Sequence, residues 1–376
     1  MKRLIFLFFA LLLIIIIPGC SSKTEQYEYI TIGALLPLTG DGADEGLRAF
    51  NGLQLAKREI NKNGGIRGKL LDIIVLNDRG DEDYIVQQYN RLMEMGVVAI
   101  IGSSYSSVTL ALAKASVKDG IPVISPTATN PDVTLGHRNV FRAIFINDYQ
   151  AEVLAYFAFN SLNARTALVL VNDDFAGNKR VAEVFIECFE KYGGEITAIE
   201  PVSSADEHAG ILAKYSANKP DVIFYPDDYI PAAMLVNTAY EIGFAGAYIL
   251  GTDAWDGFLP YISATDALKN VYYTSTFSFD DDDPEVVRFV RDYFNLYSQM
   301  PLSGSATAYT CVYILVEAIN MTGYTTKDVL IYSLKATELN TITGRIKFDN
   351  NNNPRTNVYI IKTEGGIIAT YEKLSL

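Results

Sequence analysis

Five short motifs in this 376-residue chain gather hydroxyls, carboxylates and rings at spacings that suit binding of a small charged molecule. Ile101-Gly102-Ser103-Ser104-Tyr105-Ser106-Ser107 holds four serines within five positions, and the pattern predicts a helix opening at Ser106. A helix N-terminus offers unpaired N–H groups and the positive end of the dipole. Hydroxyls beside it form a seat for a carboxylate, with Ser106 central and Tyr105 and Ser107 flanking it. Capping accounts for one serine but not for four. Ser125-Pro126-Thr127-Ala128-Thr129-Asn130-Pro131 carries two prolines, which exclude a helix and hold the run extended or turned. Its free carbonyls and the hydroxyls of Thr127 and Thr129 then face the same cleft. A rigid loop with no ligand is the competing reading.

The other three motifs are acidic and aromatic: Asn172–Gly177 (NDDFAG), Tyr225–Pro231 (YPDDYIP) and Gly251–Gly257 (GTDAWDG), the last with the only tryptophan. Carboxylates beside ring faces suit a cation. Helix capping explains Asp173 and Asp256, and explains Asp253 less well. Together the two kinds of motif fit a zwitterion, its carboxylate on Ser106 and Thr129 and its ammonium on Asp253. The rival class is an enzyme. Against it, the chain has no GxSxG, HExxH, P-loop or CxxC motif, and adjacent loop carboxylates such as Asp227 and Asp228 are poor evidence for acid–base work.

The elements that must carry these motifs alternate. Short β-branched runs, such as Tyr29–Leu35, Val97–Gly102, Thr166–Val171 and Tyr248–Gly251, are followed by amphipathic segments, such as Glu45–Asn61, Ser106–Lys118, Lys179–Tyr192 and Pro231–Ile242. Such alternation predicts parallel sheets covered on both faces. About nine strands and a chain of this length exceed one core, so the expected fold is α/β with two doubly wound parallel-sheet lobes. Extended stretches at Phe141–Asp148, Ser275–Asp280 and Thr343–Asp349 are the expected three-crossing hinge. Lobe I is then 29–145 plus 277–343, and lobe II 146–276 plus 344–376. Arg345–Phe348, Asn357–Thr363 and Gly366–Tyr371 read as a β-meander. Ligands of open α/β sheets bind beyond the carboxyl ends of the strands, where all five motifs fall.

The N-terminus is an address. Met1-Lys2-Arg3 precedes an unbroken apolar run, Leu4–Ile17, too short to span a bilayer and suited to a signal segment over 1–19. Residues 20–28 read as a tether. The formal net charge of −13 argues against nucleic acid or anionic lipid as a partner. Two histidines leave little room for a histidine-rich metal site, and no cofactor is expected. Cys188 and Cys311 are expected to be buried free thiols, a disulfide between them being the second choice. His208 is expected to be exposed on a polar helix start. Asp349–Pro354 (DNNNNP) reads as a turn, because Pro354 stands where a calcium loop needs glycine.

Two resemblances add to this. Ile17-Pro18-Gly19-Cys20 is similar to the lipobox of bacterial lipoproteins, which implies cleavage before Cys20 and lipidation of its thiol. From Tyr29 onward the chain resembles the type I periplasmic solute-binding proteins, in the leucine/isoleucine/valine-binding branch that serves ABC transporters. The matching stretches are IGALLPLTG, GLQLAKREINKNGGIRGKLLDIIVLND, IIGSSYSS, PVISPTATNP and GTDAWDG. The resemblance implies a lipid-anchored, extracytoplasmic monomer that closes on an amino acid and delivers it to a permease. It implies carboxylate binding at Ser106 and Thr129, an ammonium on the Thr127 carbonyl and on Asp253, and aromatic closure by Phe175 and Tyr229. Phe175 stands where tyrosine is common, and the bulk of Tyr105 narrows the pocket. A sensory binding subunit, or a binder of another small solute such as an amide, remains the alternative.

Overall fold

The computed structural model describes residues 28–40, 42–172 and 176–375. The signal segment, Cys20, most of the tether and Phe175 lie outside the described residues. In chain order the first half holds β1 (Tyr29–Leu36), α1 (Ala43–Lys62), β2 (Leu70–Asn77), α2 (Glu82–Glu94), β3 (Ile100–Gly102), α3 (Ser106–Ser116), β4 (Val123–Ser125), β5 (Val140–Arg142), α4 (Asn147–Tyr156), β6 (Thr166–Val171) and α5 (Ala176–Tyr192). There follow β7 (Glu195–Pro201), α6 (His208–Lys214), β8 (Val222–Phe224), α7 (Tyr229–Glu241), β9 (Tyr248–Gly251) and β10 (Val271–Ser275). The chain ends with α8 (Pro284–Tyr297), α9 (Ser303–Thr322), α10 (Lys327–Ala336), β11 (Glu338–Thr341), β12 (Gly344–Lys347), β13 (Val358–Glu364) and β14 (Ile367–Leu374).

Among the described residues two large sheets and one two-stranded sheet, β11-β12, result. One large sheet is parallel throughout, in the order β2-β1-β3-β4-β5. The other runs β14-β13-β10-β9-β8-β6-β7, parallel except for β13 and β14. Each large sheet is apolar on both faces, so each has two cores. On the first, Ile32 and Ala34 of β1 pack with α1 and α9, while Leu35 packs with α2 and α3. On the second, Val169 packs with α4 and α5, while Leu168 and Leu170 pack with α6 and α7. This is the two-lobe, doubly wound α/β architecture that strand–helix alternation predicts.

The cores locate the crossings. Ala143 is in the first lobe's core and Ile144 in the second's; Tyr273 and Phe277 straddle the next crossing in the same way. The third differs from expectation. Ile346 is fully buried in the first core and β12 pairs with β11, so Arg345–Phe348 is not part of a meander with β13 and β14. The crossing there begins after Phe348, because Glu338–Thr341 supplies an antiparallel partner within the first lobe. The turn at 349–354 is as expected: the Asp349 carboxylate accepts from the N–H groups of Asn351 (2.8 Å) and Asn353 (2.9 Å).

Two other expectations are corrected. His208 is completely buried and packs edge-on against Tyr225; the polar neighbours Asp206 and Glu207 belong to a preceding 3-10 turn, which leaves His208 to point inward. Cys188 and Cys311 are both free, but only Cys311 is fully buried.

Candidate functional site

The carboxyl ends of β1, β3, β4 and β5 lie level, since Leu35 pairs with Gly102, Ile101 with Ile124 and Ser125 with Arg142. Gly102 has φ +141, and a Cβ there would sit 2.3 Å from the Leu35 carbonyl oxygen, so only glycine lets β3 end this close to β1. The serine run that follows divides its duties. Ser103 is buried; its hydroxyl donates to Asp78 (2.6 Å), and its carbonyl accepts from Ser125 Oγ (3.1 Å). Ser104 is buried too, and its carbonyl accepts from Thr127 Oγ1 (2.9 Å). Ser106 opens α3, is half-buried, and accepts from the Asn130 N–H (3.3 Å). Ser107 is exposed. Tyr105 is exposed as well, its ring lying against Gly42 and Gly80, the loops after β1 and β2, which places it at the rim.

The threonine loop is fastened from behind. Arg142, fully buried at the end of β5, donates to the carbonyls of Ala128 (2.7 Å), Asn130 (2.7 Å) and Pro131 (3.5 Å) and to Thr134 Oγ1 (3.2 Å). The remaining carbonyl, that of Thr129, accepts from Asn147 N–H (2.9 Å) at the start of α4. All four consecutive carbonyls are therefore spoken for. Burial pulls the Arg142 pKa down to about 9, against the opposing charge of Asp349.

A hydrogen-bond chain leads from this loop to the second lobe. Gln150 of α4, fully buried, donates to Asn147 Oδ1 (2.8 Å) and accepts from Thr274 Oγ1 (2.9 Å) and from Asp253 N–H (3.2 Å). Asp253 opens a 3-10 turn just after β9 and is half-buried. Its carboxyl is pushed up to about 7 by burial and by the nearby charges of Glu45 and Asp256, with the Gln150 amide opposing. The loop bearing Thr127 and Thr129 is thus linked to Ser106 through Asn130 and to Asp253 through Asn147 and Gln150. Tyr229, at the start of α7, stacks at an angle on Tyr261 (5.7 Å between centroids) and feels the charges of Asp44 and Arg48 from α1, so it faces the first lobe.

Several cleft residues were not anticipated. Glu45 lies in the first turn of α1; burial raises its pKa, while Arg48 and the Thr127 hydroxyl pull it back. An acid in a first helical turn reads as dipole compensation, which hides it in the sequence. Asp256 does cap a helix, but a distant one: it accepts from the N–H (2.8 Å) and hydroxyl (2.7 Å) of Ser303, at the start of α9 in the other lobe. Asp227 is 4% exposed and collects four donors: Tyr225 OH (2.8 Å), Asp228 N–H (2.8 Å), Asn172 Nδ2 (3.3 Å) and Asn178 Nδ2 (3.3 Å). It ties the loop after β8 to residues on either side of 173–175. Among the described residues no group of three or more His, Cys, Asp or Glu side chains is placed to hold a metal ion.

Comparison with known proteins agrees with this fold. The chain is 28% identical to a Leu/Ile/Val-binding protein, BraC3, of Rhizobium johnstonii over 65% of this chain and 67% of that one. It is 25% identical to a leucine-, isoleucine-, valine-, threonine- and alanine-binding protein of Pseudomonas aeruginosa over 89% of each. Its fold superposes on the isoleucine complex of LivJ from Streptococcus pneumoniae with a TM-score of 0.85 and 26% identity, over 93% of this chain and 100% of that one. A benzoate complex from R. palustris shares the fold at a TM-score of 0.80 and 20% identity, over 92% and 96%. Residues 29–366 match the model of one family across both lobes, so the chain belongs to the periplasmic binding proteins, the extracytoplasmic solute-binding components of ABC transporters, and is not an enzyme.

Proposed function

We propose that this protein captures an α-amino acid, branched-chain or close to it, between its lobes and delivers it to a membrane permease. The carrying observation is the chain Thr129–Asn147–Gln150–Asp253, which joins a hydroxyl seat for a carboxylate to an acid for an ammonium. Relatives named for leucine, isoleucine and valine support that ligand class. The carboxylate goes to Ser106 and Thr129, and the ammonium to Asp253 and the Thr127 carbonyl. Phe175 and Tyr229 close over the side chain. Each lobe supplies half of the contacts, so the ligand binds the closed form more tightly and shifts the population toward it. Lobe I is 29–143 with 277–348 and lobe II 144–276 with the C-terminal strands, the third crossing being drawn after Phe348. Lipid on Cys20 keeps the protein beside its permease as a monomer.

A benzoate-binding neighbour suggests a second reading, an aromatic acid, which shares the carboxylate but offers nothing to Asp253. Calorimetry with leucine, isoleucine, valine and benzoate separates the two. The amino acids are expected to bind, and Asp253→Ala to weaken them by about 2–5 kcal/mol, since an ammonium would be buried unpaired. Ion pairing needs Asp253 ionised, so affinity is expected to weaken about tenfold per pH unit below its pKa of about 7. Unchanged leucine affinity in the Asp253→Ala protein removes that residue from the site; benzoate binding without leucine binding selects the second reading.

A further inference from the structure

Behind the hydroxyl seat lies a fully buried side chain, Arg142. We propose that Arg142 is the seat's positioning residue: the guanidinium fork holds the carbonyls of Ala128, Asn130 and Pro131 on the buried side of the loop, so that Thr129 is presented to a ligand carboxylate. The inference rests on the amino-acid reading above and deepens it. Thr129 is half-buried, and neither its hydroxyl nor its N–H has a hydrogen-bond partner among the described residues, although its carbonyl and those on both sides are bound. Those two donors are what an anion needs.

The arrangement is not explained by ion pairing. No carboxylate lies within ion-pair distance of Arg142 among the described residues, and its Nε has no partner. A buried guanidinium without a counter-ion is costly, and apolar packing would serve a core better. Lysine, a point charge with one reach, cannot bridge three carbonyls and a hydroxyl at once. The same fork also ties the seat to the third crossing. Thr134, which accepts from Arg142, donates to Asn353 Oδ1 (2.8 Å), and Asn352 Nδ2 donates to the carbonyl of Val140 (2.9 Å). With Asn147 on the first crossing, the loop bearing Thr129 is joined to two of the three segments that any closure must bend.

The test compares leucine with leucinamide, which keeps the ammonium and side chain and lacks the carboxylate. In Arg142→Lys, leucine affinity is expected to fall at least tenfold and leucinamide affinity less than threefold. Amide exchange at Asn130 and Asn147 is expected to quicken, since their partners are the seat itself. Equal weakening of both ligands, or unchanged affinity with unchanged exchange, overturns the proposal. Should Arg142→Lys fail to fold, Thr134→Val removes one anchor of the fork; a leucine-selective loss of about threefold supports the proposal, and none overturns it. If the wild-type protein binds neither ligand, the amino-acid reading fails, and exchange at Asn147 in the variant still decides whether Arg142 holds the loop.

Discussion

The two lobes fasten their ligand loops by opposite means. In the first lobe a buried cation, Arg142, draws backbone carbonyls inward. In the second a buried anion, Asp227, draws in N–H and O–H donors. Neither has an ion-pair partner among the described residues. A loop backbone has two kinds of polar group, and whatever the interior takes is withheld from the cleft. On the proposed amino-acid reading, the loop whose carbonyls are taken keeps donors for an anion, and the lobe whose donors are taken keeps an acid, Asp253, for a cation.

The largest effect should come from the anionic fastener. Asp227→Ala removes the acceptor of the Tyr225 hydroxyl, the Asn178 amide and the Asp228 N–H and one partner of Asn172, and a loss of about 3–5 kcal/mol is expected in urea unfolding. A change below about 1 kcal/mol would dissolve the symmetry between the lobes. Near Asp227 lies His208, buried and, among the described residues, with no hydrogen bond to either ring nitrogen. Burial depresses its pKa to about 4, so the unfolded chain binds its proton first and stability falls as pH drops from about 6.5 toward 4. That acid-side loss is expected to be about 2–3 kcal/mol and to be absent in His208→Leu; an identical pH profile in the variant would refute it. The smallest effect belongs to the outer anchor of the cationic fastener. Asn353→Ala removes the acceptor of Thr134, and a loss of about 1 kcal/mol is expected, read as a shift in the midpoint of unfolding. No shift would mean that the third crossing and the threonine loop are independent.

Much of this was readable in the chain because strand ends obey a topological rule. Ser106, Thr129 and Asp253 follow β3, β4 and β9 directly, and each motif has turn residues that fix where the strand stops. What escaped came from other causes. Glu45, Arg48 and Gln150 enter the cleft from helices, where an isolated polar residue looks like surface. Arg142 sits in Phe141–Asp148, an extended run whose register on β4 is a tertiary fact, so its burial has no local signal. The third crossing moved because β12 pairs with β11 and its Ile346 joins the first lobe's core, a packing that is a tertiary fact. His208 follows two acids, and nothing nearby in sequence announces the ring of Tyr225.

Trp255 sits two residues beyond Asp253, fully buried against Gly251 and Phe258. As the only indole in the chain, it gives the protein a single tryptophan signal two residues from the proposed ammonium partner. Stopped-flow tryptophan fluorescence, free of background from other tryptophans, is therefore a label-free test of whether and how fast a ligand changes this part of the second lobe.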